Sequence, residues 1–283
     1  MSRPARGSRV GGVVAGLLSA SLLALFLLPI LALAQSASLA TYASILADPA
    51  VRLSIAFTLY ASGLALAVSL ALGVPLGYLL ARRTFRGKAI VESLVGLPVV
   101  VPHLVAGLAL LLLLSPGEPV GHWAAAAGFP VVDTLVGVVL VMVYVSAPYT
   151  VLASTLAFRA VDDRLIEAAR CLGASPSEAF ATVTLPLALR GIVAGGLLTW
   201  ARAVSEIGGF LILAYFIYPG PGYNGPVTST LSLTIYNFYQ SGNLGAAAAA
   251  SSVFVLIAFA LFVAVRWLER GGRLPWGRGE LLP

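Results

Sequence analysis

Residues 53–81 read LSIAFTLYASGLALAVSLALGVPLGYLLA, a run without one ionisable carboxylate, lysine or arginine, closed at its ends by Arg52 and Arg82. A helix needs about 20 apolar residues to cross the hydrocarbon core of a bilayer, and this run supplies more. In lipid no water can satisfy backbone N–H and C=O groups, so a helix that closes its own hydrogen bonds is the structure such a run can adopt.

The rest of the chain repeats the pattern. Residues 10–34, 93–115 and 134–158 are further apolar runs, the third run of the chain carrying Pro98 and Pro102. No charge occurs from Ile207 to Val265, a stretch too long for one span. Its middle holds Pro219, Gly220, Pro221, Gly222, Asn224, Gly225 and Pro226, which mark a connection. The reading is therefore a fifth helix over 189–218 and a sixth over 244–265. Arg3, Arg6 and Arg9 before the first run also fit a cleavable signal peptide, but the run exceeds the ~7–15 residues of a signal core, and an uncleaved first helix is expected.

Composition agrees. Of 283 residues, 59% are hydrophobic and 10% charged, where a soluble domain carries roughly 25% charged residues. A surface facing lipid has no use for the missing charge. Cys171 is the lone cysteine, so no internal disulfide forms, and it is read as a small apolar filler. His103 and His122 lack metal-ligand spacing. No nucleophile–base set stands out, so no catalytic residue, metal or cofactor is expected in this chain. No Gly-x-x-x-x-Gly-Lys-Ser/Thr phosphate loop occurs.

Lysine and arginine orient the spans. With the N-terminus placed in the cytoplasm, cytoplasmic segments hold Arg3, Arg6, Arg9, Arg82, Arg83, Arg86, Lys88, Arg159, Arg164, Arg170, Arg190, Arg266, Arg270, Arg273 and Arg278. Of the 17 basic residues only Arg52, outside, and Arg202, within a helix, stand elsewhere. This bias predicts an even number of spans with both termini cytoplasmic. The same scatter over four membrane-face segments argues against nucleic acid as a partner, despite a net charge of +6.

The segment 161–186 is the longest cytoplasmic connection and the one rich in both charge signs. Asp162 or Asp163 can cap a helix over 164–172, with Leu165, Ala169 and Leu172 on one face, and Gly173 can end it in the left-handed conformation. Ser175-Pro176-Ser177-Glu178 is a capping box with proline at the first helical position. Phe180, Val183 and Leu187 share a face of the helix that follows, and Pro186 leads into the fifth span. The product is a helix–turn–helix bracket whose apolar residues need a partner.

Glu167-Ala168-Ala169, three residues, Gly173, nine residues, then Val183-Thr184-Leu185-Pro186 resembles the EAA loop of ABC importer permeases, with valine for the usual isoleucine. The resemblance implies an all-α integral membrane protein of six transmembrane helices, a type I importer permease-like bundle whose loop is a cytoplasmic coupling helix. Glu167, Ala168, Ala169, Gly173, Leu185 and Pro186 would form the ATPase-coupling surface. The implied partners are an ATP-binding cassette ATPase subunit, an extracytoplasmic solute-binding protein and a second copy of the chain in a lipid bilayer. The implied mechanism is alternating access by rocking of packed helices.

Over roughly residues 50–215, Leu97-Pro98-Val99-Val100-Val101-Pro102, Val145-Ser146-Ala147-Pro148-Tyr149 and the segment from Trp200 through Arg202, Ser205 and Glu206 to Gly208 resemble the molybdate/tungstate branch of these permeases. Ser205 and Ile207 replace the usual glycine and phenylalanine, and His103 stands where proline or a small residue is common. Sulfate and thiosulfate permeases share much of the fifth-helix motif. Arg202 and Glu206, four apart, would share a helix face inside the span. A charge at mid-bilayer costs about 2.5–3.5 kcal/mol, so such residues turn to the bundle interior or a water-filled path. Arg202, Ser205 and Glu206 are thus translocation-path candidates, with a self-neutralising structural pair as the other reading. Pro98 and Pro102 suit either a gate or irregular packing. An ion-coupled secondary transporter, the rival of another class, would require coupling carboxylates in the spans and leaves the EAA spacing unexplained.

Overall fold

The computed structural model describes residues 6–270. The termini placed in the cytoplasm, with Arg3, Arg273 and Arg278, lie outside the described residues. In chain order the helices are α1 (Arg6–Gln35), α2 (Leu39–Ala47), α3 (Pro49–Arg82), α4 (Lys88–Val100), α5 (His103–Leu114), α6 (Pro119–Ala126), α7 (Leu135–Arg159), α8 (Asp163–Cys171), α9 (Pro176–Ala179), α10 (Leu185–Val204), α11 (Gly208–Leu213), α12 (Leu231–Gln240) and α13 (Leu244–Arg270). Among the described residues no strand forms beyond two isolated bridges, Ile217 with Thr228 and Gly220 with Tyr223.

Five of these helices are long and apolar enough to cross a membrane, and α4 with α5 makes a sixth crossing only as a bent pair. The apolar runs at 10–34, 53–81, 134–158 and 244–265 correspond to α1, α3, α7 and α13. Two expectations fail. The third span is not one helix over 93–115: it starts at Lys88 and turns by 113° between α4 and α5. The fifth does not run over 189–218. It grows without interruption from Pro176, through a wide π turn at Phe180–Thr184, and ends at Val204. The breaker-rich stretch after α11 folds back as an extended hairpin in which Ile217 N–H donates to Thr228 O and the reverse bond closes at 3.1 Å. Tyr223 packs edge-on against Phe57 and donates its hydroxyl to the Pro226 carbonyl; burial pushes its phenol pKa up.

Small residues bring the central helices together. Lipid tails are as apolar as leucine, so helix association relies on close packing rather than on expelling water. Gly73 and Gly77 of α3 lie on Thr150 and Ser154 of α7, and Gly191 and Gly195 of α10 lie on Ala157 and Ala153 of the same helix. Increasing numbers on α3 meet increasing numbers on α7, so those two run parallel, while α10 runs antiparallel to both. Thr150 and Thr199 share a buried hydroxyl–hydroxyl bond of 2.7 Å across the α7–α10 seam. The alanines 246–250 of α13 are buried, and Ala246, Ala249 and Ala250 pack with Ile45, Val51 and Leu231. Helix α1 packs along α13, with none of its apolar window buried within the chain, and Tyr42 donates its hydroxyl to the Ala34 carbonyl at 3.0 Å.

Candidate functional site

The two broken helices break at the same place in space. Proline has no N–H and disfavours the helical region for the residue before it. Val101 accordingly sits at φ −68°, ψ 128°, and the helix restarts at His103. The second break has no proline. Val204 ends α10, Ile207 takes φ −140°, ψ −41°, and Gly208-Gly209 opens α11. Gly208 and Gly107 make the two elbows' close approach possible. A Cβ on Gly208 would stand 2.6 Å from the Cβ of His103, and one on Gly107 would stand 2.7 Å from the Cα of Gly209. The elbow of α4–α5 therefore rests directly on the elbow of α10–α11.

An ionic cluster fills the contact. Arg202 Nη2 lies 3.0 Å from Glu206 Oε2 and 2.7 Å from His103 Nε2, while His103 Nδ1 lies 2.9 Å from the same Oε2. Nη2 also lies 3.2 Å from His103 Nδ1, so the guanidinium nitrogen rests against the imidazole ring within reach of both its nitrogens. Oε1 of Glu206 accepts the Gly209 N–H at 2.7 Å, and the Glu206 carbonyl accepts the Ser232 hydroxyl at 2.7 Å. Exposure is graded through the cluster: the His103 side chain is 44% exposed, that of Arg202 17%, that of Glu206 0%. Arg202 Nη1 is buried without a hydrogen-bond partner. Arg202 also lies in the last turn of α10, where unpaired carbonyls favour a cation.

The expected pair thus meets, but across the end of α10, with Arg202 in its last turn and Glu206 just past it, rather than on a helical face within a span. Ser205 is exposed at the break and spends its hydroxyl on the Arg202 carbonyl at 3.1 Å. His103 was not among the residues chosen from sequence. The available signal was an ionisable residue directly after a proline in an otherwise apolar run. His122 lies on α6, away from this cluster.

The 161–186 segment forms a second candidate surface. Asp162 caps α8 through Arg164 N–H, Gly173 takes φ +96°, and the Ser175–Glu178 capping box closes in both directions. Arg82 pairs with Asp163 and bonds the Val161 carbonyl at 2.9 Å, which ties the bracket to α3. Phe180 packs edge-on against Tyr78, and Leu185 joins the core around Phe158 and Ile192. Pro186 is half-buried inside the continuous helix rather than at the entry to a span. Glu167 and Ala168 are exposed and Ala169 is half-buried. Leu172 is 90% exposed, a large apolar side chain at the tip of the bracket. Cys171, read as a filler, is instead exposed beside it.

Helices broken at facing elbows, with an ionic cluster at the break, define the class: a multi-pass membrane transport component, where irregular backbone at membrane depth occurs only against protein or a cavity. The chain belongs to the family of binding-protein-dependent transport system inner membrane components, whose model matches residues 73–273. Members of this family are the non-enzymatic permeases of ABC importers, with a separate ATPase. A protein named molybdate/tungstate transport system permease protein in Thermococcus kodakarensis is 36% identical over 236 residues, covering 83% of this chain and 86% of that one. The molybdenum transport system permease protein of Escherichia coli K12 is 34% identical over 239 residues, covering 83% of this chain and all of that one. A chain of a bacterial ABC transporter that imports the acidic polysaccharide alginate superposes with a TM-score of 0.73 at 17% identity, over 92% of this chain and 96% of the other, a likeness of fold.

Proposed function

We propose that the chain is the membrane-spanning half-pathway of an ATP-driven importer for a tetrahedral oxyanion of the molybdate/tungstate class. The observation that carries this reading is Arg202, a cation held at the junction of two broken helices in a bundle otherwise almost free of charge. The names of the relatives from Thermococcus and Escherichia support the same anion class. Two copies of the chain in a lipid bilayer would place two such junctions across one pathway. The termini and the 161–186 bracket face the cytoplasm in this reading, on the basic-residue bias. Glu167, Ala168, Ala169 and Gly173 belong to the surface that meets the ATPase subunit, with Leu172 the apolar residue offered to it, while Leu185, packed into the helix core, and half-buried Pro186 hold that surface in place from behind. An extracytoplasmic binding protein delivers the anion to the opposite face.

A gradient-driven carrier is disfavoured by Glu206. The coupling carboxylate such a carrier needs is here fully buried and committed to Arg202, His103 and Gly209. The test is ATP-dependent uptake into proteoliposomes containing the permease, its ATPase and its binding protein. Tungstate and molybdate are expected to enter in preference to sulfate. Preferred uptake of sulfate would overturn the anion class, and uptake without the ATPase would overturn the energy source.

A further inference from the structure

The guanidinium of Arg202 is not presented as an open fork. A fork binds an oxyanion through two parallel N–H groups, which makes it a tight, planar receptor. Nη2 carries two N–H groups. Nη2 faces Glu206 at 3.0 Å and the His103 ring at 2.7 Å from Nε2 and 3.2 Å from Nδ1, while Nη1, without a partner, is buried, so the side of the fork nearest solvent is covered by the imidazole. The exposure gradient has the same sense, because the imidazole is the outermost member of the cluster and the guanidinium lies behind it. The position of His103 is set by the backbone: the Gly208 contact seats the His103 Cβ, and Val101-Pro102 aims the start of α5 at the break.

A pathway has an opposite requirement to a receptor, since an anion bound tightly within it is released slowly. We propose that His103 is a positioning residue that attenuates Arg202, occupying and covering the guanidinium so that the passing oxyanion is attracted but not captured. This rests on the reading of Arg202 as a pathway cation. The inference is specific in direction: losing His103 strengthens anion binding while it slows transport. A residue that merely held the elbows together would weaken both.

The test uses the permease–ATPase complex in detergent or nanodiscs, with tungstate as probe, and sulfate and molybdate as comparators. Equilibrium dialysis without binding protein reads affinity, and proteoliposome uptake with binding protein reads turnover. His103→Ala is expected to bind tungstate at least tenfold more tightly than the parent and to transport it at least tenfold more slowly. His103→Gln restores both values, because its amide oxygen accepts from Arg202 and its NH₂ donates to Glu206. Tungstate affinity in His103→Ala no higher than in the parent overturns the proposal, provided His103→Gln folds and assembles as the parent does. If His103→Ala fails to fold, His103→Leu, which fills the space without an acceptor, is read against His103→Gln in the same way. The added affinity must vanish in the double variant His103→Ala/Arg202→Gln. If it persists there, the anion contacts another group, and the pathway role of Arg202 is what fails.

Discussion

Gly107 and Gly209 bring two helix backbones into contact, so that a methyl group on Gly107 would stand 2.7 Å from the Cα of Gly209 and 2.8 Å from its carbonyl oxygen. No flexible side chain lies there to move aside. The substitution Gly107→Ala must separate the elbows, and overpacking of this kind costs about 1–3 kcal/mol. Gly63, in the middle of α3, has nothing within 4 Å of its ideal Cβ. Gly63→Ala should therefore be neutral or stabilising by about 0.5–1 kcal/mol, since glycine is a poor helix residue. Thermal unfolding of the two purified variants checks the contrast. Equal stability would mean that the elbow contact is not a constraint on the fold.

Arg202 and Glu206 are paired at 3.0 Å with the carboxylate fully buried. Removing one partner leaves the other charged and desolvated, which costs about 3–5 kcal/mol, whereas losing both removes the penalty with the pair. Glu206→Gln and Arg202→Gln should each destabilise strongly, Arg202→Gln more so because it leaves the fully buried carboxylate without its counter-charge. The double variant should be closer to the parent than the sum of the singles. Additive losses in this double-mutant cycle would show that the pair contributes no coupling to stability.

Gly77 and Gly195 let α3 and α10 close on the two sides of α7, with ideal Cβ positions 2.7 Å from Ser154 Cβ and 2.3 Å from Ala153 Cβ. Gly195→Val should separate α10 from α7, break the Thr150–Thr199 bond and lower stability by about 1–3 kcal/mol. A compensating Ala153→Gly in the same chain should recover part of the loss. Recovery absent from the unfolding curves would place the strain elsewhere than at this seam.

How much of this could be read from the chain alone depends on whether a feature is local. The ends of α3 and α7 fall within a few residues of the charge-free runs because Arg82 and Arg159 mark them directly. Gly173 and the Ser175–Glu178 box were legible because caps are local chemistry. The bend at Val101-Pro102 was signalled but its size was not, since proline frees the helix and neighbouring elements choose the angle. The end of α10 at Val204 was missed because no proline marks it and Ile207 to Leu213 stays apolar. His103 was missed for a deeper reason. It meets Arg202 across 99 positions of sequence, a contact made by the packing of α5 on α11 and carried by no spacing.

Leu172 and Gly173 make the last prediction, because they separate folding from coupling in one short segment. Leu172 is exposed at the tip of the bracket and supports nothing within the chain. Leu172→Asp should leave the unfolding temperature of the isolated permease unchanged. It should weaken ATPase-subunit binding at least tenfold, about 1.4 kcal/mol, if this apolar side chain enters a cleft of that subunit. Gly173 is different: its surroundings are open, but its φ of +96° is a conformation that side chains resist. Gly173→Ala should cost about 1–2 kcal/mol locally and shift the direction of α8 relative to α9. Titration of the ATPase subunit onto each variant, beside uptake in proteoliposomes, tests both. Full ATPase affinity in Leu172→Asp would remove this tip from the docking surface, and loss of binding with loss of fold in the same variant would show the bracket to be structural instead.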